Sequence, residues 1–406
     1  MPREGPQVVR SKPPFVPAVV FGSHIAAYGA IRALAPLGIP VFIVDEHRGL
    51  AARSHHVRGF LKVSYAEPDL LYRVCSWLRS RSIGRAVLMV GGSDTALECL
   101  SKSVDQLSEG FLPAFPPWDV VSKVRRKRIT YAIASELGIG VPSTEYVTSP
   151  DEMHQVLENW DPDLYPLLLK PEDSKRFLAE YGRKGIVCHT PDEARESYSR
   201  YQGFYGDLLV QEMIPGDVER LVNVLAVREP ASRRQISFVN RKLRSCGPLM
   251  RCTLMKSDRS SEAVEATQRL LEEIGYFGFA NAEFKEDARD QRLKLMEING
   301  RLTISNSHSL RCGLNLVLHA YESALGAKWG AELLEGRPGL EDILWWEPLG
   351  DLIGLVRSAC RRELRPWRVL RQTMGRGYAI EPFALRDPVP SLYHMSQLAR
   401  SLVSRR

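Results

Sequence analysis

Apolar positions come in short unbroken runs near the start of the chain. Pro17-Ala-Val-Val-Phe21 stops at Gly22-Ser23, a helix-like stretch reaches Leu37 and Gly38, and Ile39-Pro-Val-Phe-Ile-Val44 ends at Asp45. Strand, turn, helix and strand in that order make a βαβ unit, so a parallel sheet is expected. Ala86–Val90 followed by Gly91-Gly-Ser-Asp94 repeats the strand-into-glycine-turn pattern. Residues 15–121 therefore read as a small doubly wound domain. Gly22-Ser23 is not a Gly-x-Gly-x-x-Gly fingerprint, so no dinucleotide site is assigned. Ligands of such sheets sit at the strand ends. His24 there could touch a substrate, or merely cap a helix or face solvent.

Pro113–Pro117 reads as a linker, and Ser122–Leu137 as one basic helix stopped by Gly138 and Pro142. Tyr165–Lys170 is a buried-type strand ending in a lysine, and Asp173–Lys184 is a polar stretch before a strand at Ile186–Cys188. Asp207–Ile214 is a further strand, stopped by Pro215-Gly216. Alternating patterns follow at 222–227 and 236–242, then a helix at Glu262–Ile274.

Phe279–Lys285 and Arg292–Asn299, separated by the polar turn 286–291, have the form of a β-hairpin. Strand side chains alternate faces. Asn281, Glu283 and Lys285 share one face, as do Glu297 and Asn299, and a turn centred near residue 290 sets Glu283 opposite Glu297. Opposed carboxylates repel; a divalent cation such as Mg²⁺, which takes oxygen ligands, would reverse that. The alternative is a solvated hairpin face. Arg301 lies just past the strand end, where a bidentate donor could reach phosphate.

Composition changes this picture at one place. A hydrophobic content of 44% and charged content of 25% are ordinary for a soluble globular chain. No apolar run approaches the ~18 residues of a membrane span. Met1–Pro14 lacks the apolar core of a signal peptide, so a cytoplasmic location is expected. Seven cysteines without a Cys-x-x-Cys pair read as reduced thiols. His55-His56 as a metal pair lacks a third ligand. The net charge of +7 would suggest nucleic acid. However, residues 352–406 hold eleven arginines, no lysine and three acids, a local +8 that leaves −1 on residues 1–351. No nucleic acid is therefore expected. Leu352–Arg365 has helical period, with Arg357, Arg361 and Arg365 on one face and Leu352, Leu355, Val356 and Ala359 on another. Such a tail could pack on the body, bridge a homodimer, or meet an anionic membrane surface or acceptor.

Taken in order, these pieces resemble the ATP-grasp superfamily of carboxylate–amine ligases over roughly residues 15–330. The carriers are Lys123–Lys127 with Leu137–Thr144, Pro166–Pro171, Val210-Gln-Glu-Met-Ile-Pro-Gly216, Asn281-Ala-Glu-Phe-Lys285 and Met296-Glu-Ile-Asn-Gly-Arg301. The resemblance implies an α/β fold: a Rossmann-like pre-ATP-grasp domain (15–121), a first ATP-grasp subdomain with lid (122–208, the lid at 145–205), a second subdomain with the metal site (209–330), and a mostly helical basic C-terminal extension (331–406). It implies an enzyme that uses ATP and Mg²⁺, with Mn²⁺ as an alternative, to phosphorylate a small-molecule carboxylate and couple it to an amine. Lys127 and Lys170 would contact the nucleotide phosphates and base edge, Gln211 the adenine edge, and the Glu212 and Ile214 backbones the ring. Glu219, or Asp217 in its place, would bind the ribose. Glu283, Glu297 and Asn299 would hold Mg²⁺. Arg301, Lys184 and Lys242, the last beside Arg241 and Arg244, would act on the transferring phosphoryl group or substrate carboxylate. The expected glycine-rich phosphate loop is instead charged and bulky at Glu172–Gly185, which leaves a nucleotide-binding regulatory scaffold as the rival reading.

Overall fold

The computed structural model describes residues 15–171, 174–201, 208–246, 251–326 and 342–403. Five parallel strands form the N-terminal sheet: β1 (Ala18–Phe21), β2 (Val41–Asp45), β3 (Val57–Lys62), β4 (Ala86–Val90) and β5 (Phe111–Pro113), in the order β3-β2-β1-β4-β5. β1 and β4 are wholly apolar and buried on both faces, as a parallel sheet covered by helices requires. The first turn needs glycine: Gly22 has φ +107°, and a Cβ there would meet the Gly91 carbonyl at 3.0 Å. Doubly wound topology with the Gly22 and Gly91 turns at the strand ends matches the reading of the sequence.

A four-stranded antiparallel sheet occupies the stretch expected as the lid, from β6 (Thr144–Val147), β7 (Leu167–Pro171), β8 (Ile186–Cys188) and β9 (Leu208–Glu212), ordered β6-β9-β7-β8. Its core is separate from the rest: Leu167, Leu169, Phe177, Tyr198 and Val210 pack with Met153 and Leu157. A single continuous cluster, by contrast, joins the N-terminal domain to the larger sheet through Val222, Val224, Ala282, Phe284 and the helix Ser261–Ile274.

The larger sheet contains β10 (Leu221–Arg228), β11 (Gln235–Ser245), β12 (Cys252–Asp258), β13 (Gly278–Glu286), β14 (Leu293–Asn299), β15 (Ile343–Trp346) and β16 (Gly377–Ile380), ordered β14-β13-β10-β11-β12-β15-β16. The hairpin β13–β14 has the expected register, Glu283 opposite Glu297 and Asn281 opposite Asn299. A bulge follows Glu283, since Phe284 pairs with Leu295 and leaves Met296 extra. The slip returns Glu297 to the face of Glu283 while Phe284 and Leu295 enter the core.

Three local expectations change. The basic stretch 122–137 is two helices, Trp118–Arg125 and Lys127–Glu136, because Arg126 is extended at φ −96°, ψ 107°. Thr130 bridges the break, its hydroxyl donating to the Lys123 carbonyl at 2.6 Å. The polar stretch before β8 contains a helix, Ser174–Tyr181, closed by Gly182 at φ +68°. The C-terminal extension is helical at Pro348–Cys360, Pro366–Gln372 and Pro388–Val403, but β15 and β16 also enlarge the seven-stranded sheet. The first of these helices turns Gly350, Asp351 and Gly354 inward and leaves Leu352 and Val356 exposed, the reverse of the apolar packing its period suggested.

The candidate nucleotide and metal site

The site lies where the lid sheet, the hairpin β13–β14 and the N-terminal domain converge. By register, Asn240, Asn223, Glu283 and Glu297 form a polar row across β11, β10, β13 and β14. Lys242, on β11, donates to Glu283 at 2.5 Å. The Asn299 side-chain amide donates to Glu297 at 3.1 Å, and Arg301 donates to the Asn299 side-chain oxygen Oδ1 at 3.1 Å. The two opposed carboxylates thus sit among cations rather than on a solvated face.

Electrostatics draws further lysines into this group. Burial pushes the Glu297 carboxyl up, but Lys127, Lys170, the Asn299 amide and Lys242 together hold it well below the ordinary carboxylate range. Burial works against the Lys242 charge, and Glu283 outweighs it, holding this ammonium above its ordinary value. Burial and the nearby Lys127 bring Lys170 down to about 8, Glu297 and Glu283 oppose that, and Lys184 adds to it. Lys127 starts the helix Lys127–Glu136, Lys170 ends β7, and Lys184 is exposed just before β8. Lys127, Lys170 and Lys242, distant in sequence, therefore all act on Glu297, and Lys170 and Lys242 also feel Glu283. Oxygen donors alone, two of them charged, fit a hard divalent cation better than a soft one, and Glu283, Glu297 and Asn299 are the residues that could hold it.

Other expected residues are already engaged. The Gln211 amide is buried and donates to the Tyr131 hydroxyl at 3.2 Å and the Thr144 hydroxyl at 3.0 Å, away from any free edge. Glu212 is buried, accepting from the Ser143 N–H at 3.1 Å and from Arg289. The Ile214 carbonyl accepts from Lys285 at 2.7 Å. Glu219 and Asp217 are both held by Arg368 of the C-terminal extension. Arg301 is paired in a fork with Asp94, at 2.5 and 3.1 Å, with Arg125 at 3.7 Å from the same carboxylate. Arg241 pairs with Asp258 and Arg244 with Asp351.

Reading the sequence missed Asp94, Asn223, Asn240 and Tyr131. Asn223 carried a signal, as the one polar residue within Leu221-Val-Asn-Val-Leu-Ala-Val227. Its amide donates to Asn240 at 2.8 Å. The side-chain oxygen Oδ1 of Asn281 and the side-chain nitrogen Nδ2 of Asn240, both buried, have no hydrogen-bond partner among the described residues. The third group missing beside His55-His56 is Asp387. It accepts from the Ser54 hydroxyl at 2.5 Å and the His55 backbone at 3.3 Å, and ties the extension to the N-terminal domain.

A cleft of about 260 Å³ lies beside the 213–216 segment that follows β9, lined by Tyr165, Pro166, Met213, Ile214, Gly216 and Arg289 among others. A shallower one of about 490 Å³ lies at the ends of β2 and β3, lined by Glu46, His47, Lys62 and Glu67 among others.

No family model matches the chain. It is 28% identical over 268 residues to the D-aspartate ligase of Enterococcus faecium; the match covers 64% of this chain and 63% of that relative's length. The structure resembles N5-carboxyaminoimidazole ribonucleotide synthetase from Thermus thermophilus, with a TM-score of 0.60, 18% identity and coverage of 77% of this chain and 79% of that one. It also resembles the biotin carboxylase domain of 2-oxoglutarate carboxylase from Hydrogenobacter thermophilus, solved with MgADP, ADP and bicarbonate, with a TM-score of 0.60, 16% identity and coverage of 79% and 72%. The fold is the ATP-grasp fold. Among the described residues, no helix is long and apolar enough to cross a membrane.

Proposed function

We propose that this chain is an ATP-dependent ligase that activates a carboxylate as an acyl phosphate and joins it to an amine. The observation that carries this is the facing pair Glu283 and Glu297, surrounded by Lys127, Lys170 and Lys242 on an ATP-grasp fold. Holding two carboxylates together costs stability unless something uses them, and a nucleotide with a divalent ion would. Mg²⁺ bound there would neutralise charge on the phosphates.

Within this reading Lys127 and Lys170 hold phosphate oxygens, and Lys184 closes on them with the lid. Arg301, steered by Asp94, meets the carboxylate or the transferring phosphoryl group. The carboxylate oxygen attacks the γ-phosphorus, the bond to the β-phosphate oxygen breaks, and ADP leaves. The amine nitrogen then attacks the acyl carbon, the carbon–oxygen bond to phosphate breaks, and the amine gives up a proton. The separate lid core supports closure over the site, which would keep water from the acyl phosphate. For the base, the engaged Gln211 side chain and Ile214 carbonyl leave the cleft lined by Met213, Ile214 and Gly216 as the expected contact. Of the expected domain bounds, 121 falls between β5 and β6, 208 falls on the first residue of β9 and so cuts a strand of the four-stranded sheet, and 330 precedes β15 and β16, which belong to the large sheet.

The relative's name points to aspartate as one substrate to try first. ADP release should be measured with MgATP across a panel of carboxylates, D- and L-aspartate and glutamate among them, crossed with amines. Release requiring one carboxylate and one amine supports the ligase. Tight MgATP binding with no release across the panel would favour the regulatory scaffold, which the helix Ser174–Tyr181 in place of a glycine loop supports. A homodimer remains a proposal for the assembled state.

A further inference from the structure

Glu219 sits in a short turn, Val218–Arg220, immediately before β10. Its Oε1 accepts from three donors: Arg368 Nε at 3.0 Å, Arg368 Nη2 at 2.9 Å and Gln372 Nε2 at 2.5 Å. Its Oε2 has Arg371 at 3.8 Å, beyond hydrogen-bond range. A carboxylate oxygen offers two lone-pair directions, so Oε1 is saturated and Oε2 is the oxygen left to accept.

The three donors are themselves braced. Gln372 is buried, donates also to the Leu243 carbonyl at 3.0 Å, and accepts from Arg244 at 3.3 Å. Arg244 forms a bidentate pair with Asp351 at 2.9 and 2.6 Å. Asp351 is buried too, and accepts from Thr253 and the Trp346 ring N–H, each at 2.9 Å. A polar chain thus runs from Glu219 through the C-terminal extension into the buried side of β11 and β12. On the other side, Arg241 donates to the Glu219 backbone carbonyl at 3.1 Å.

We infer that the helix Pro366–Gln372 is a working part of the nucleotide site, with Arg368 and Gln372 as positioning residues that fix the Glu219 carboxylate for the ribose hydroxyls. The inference rests on the reading of Glu219 as the ribose ligand. A glutamate side chain on a surface turn samples many rotamers, and ordering it on binding weakens affinity. Charge-assisted bonds to one oxygen remove that freedom beforehand and leave the other oxygen to receive a hydroxyl proton. Asp217, which shares Arg368, helps hold the guanidinium in place.

The test is calorimetric binding of MgATP and of Mg-2′-deoxy-ATP and Mg-3′-deoxy-ATP to the full chain, which needs no substrate. The expected result is that the native protein prefers ATP to at least one deoxy analogue, and that Glu219→Ala abolishes the preference. Arg368→Ala and Gln372→Ala should each weaken MgATP about three- to tenfold and shrink the same preference, with Arg368→Lys restoring part of it. A merely structural role for the extension would lower all three affinities together and leave their ratio unchanged. Arg368 is partly exposed, so Arg368→Ala should fold even if Gln372→Ala does not. No preference in the native protein, or a preference that survives Glu219→Ala, overturns the ribose reading and this inference with it. A preference lost in Glu219→Ala but intact in Arg368→Ala overturns the positioning role alone.

Discussion

Glu283 and Glu297 illustrate how far residue-level reasoning reaches. Strand alternation and a turn near 290 were enough to set them face to face, and the register agrees. The cations that make the pair tolerable come from β11, β7 and the helix at Lys127, positions tied to the hairpin only by the fold. Glu297→Ala should abolish Mg²⁺-dependent ADP release while circular dichroism and the melting temperature stay near native; unchanged turnover would remove the metal assignment. A second prediction concerns His308. It is fully buried, donates from Nε2 to the Ile343 carbonyl at 3.0 Å, and burial brings it down to about 4. The unfolded chain takes up a proton near 6.5 where the folded one does not, so stability is full above pH 6.5 and falls as the pH drops toward 4. The loss attributable to this ring is about 3 kcal/mol. His308→Asn should flatten urea-derived stability across that window. An equally steep loss would place the acid sensitivity elsewhere. Side-chain partners such as Asp94 for Arg301, 207 positions away, had no local signal.

Elements were legible where one period held for their whole length. The helix at 262–274 appears one residue longer, with Ser260 as its N-cap accepting from the Ala263 N–H at 3.3 Å and Gly275 closing it at φ +75°. Strands β1, β4, β10 and β13 follow their apolar runs. What failed were boundaries set by single residues. Arg126 breaks a stretch whose composition reads as continuous helix, because the Thr130 hydroxyl takes the Lys123 carbonyl. The bulge at Met296 was invisible too, although without it Glu297 and Leu295, two residues apart, would share one face of the strand. These contrasts set magnitudes. Ser260→Ala should cost about 1 kcal/mol as a lost cap. Phe284→Ala, wholly buried in the cluster joining N-terminal domain and large sheet, should cost about 3–5 kcal/mol. Denaturant melts compare them directly, and similar losses would mean the shared core is not where the stability lies.

At the scale of the whole molecule, the net charge of +7 belongs to an extension that is built into the ATP-grasp sheet rather than appended to it. Removing residues 352–406 would strip β16 and the helices packed beside it, so truncation tests folding before it tests function. Charge and helical period were readable there, but the strands were not, since Ile343–Trp346 finds its partners only in β12 and β16. Trp367, Leu370 and Met374 are 61%, 67% and 71% exposed beside exposed Arg365, Arg371 and Arg376. Sedimentation with phosphatidylserine-containing vesicles at low salt tests whether this basic face meets an anionic surface, and equal partitioning onto neutral vesicles would rule that role out. The central claim is carboxylate activation by phosphoryl transfer, and oxygen tracing reads it most directly. With the carboxylate that supports ADP release labelled with ¹⁸O, the account predicts one labelled oxygen in each phosphate released with product. Product formation with unlabelled phosphate would contradict it.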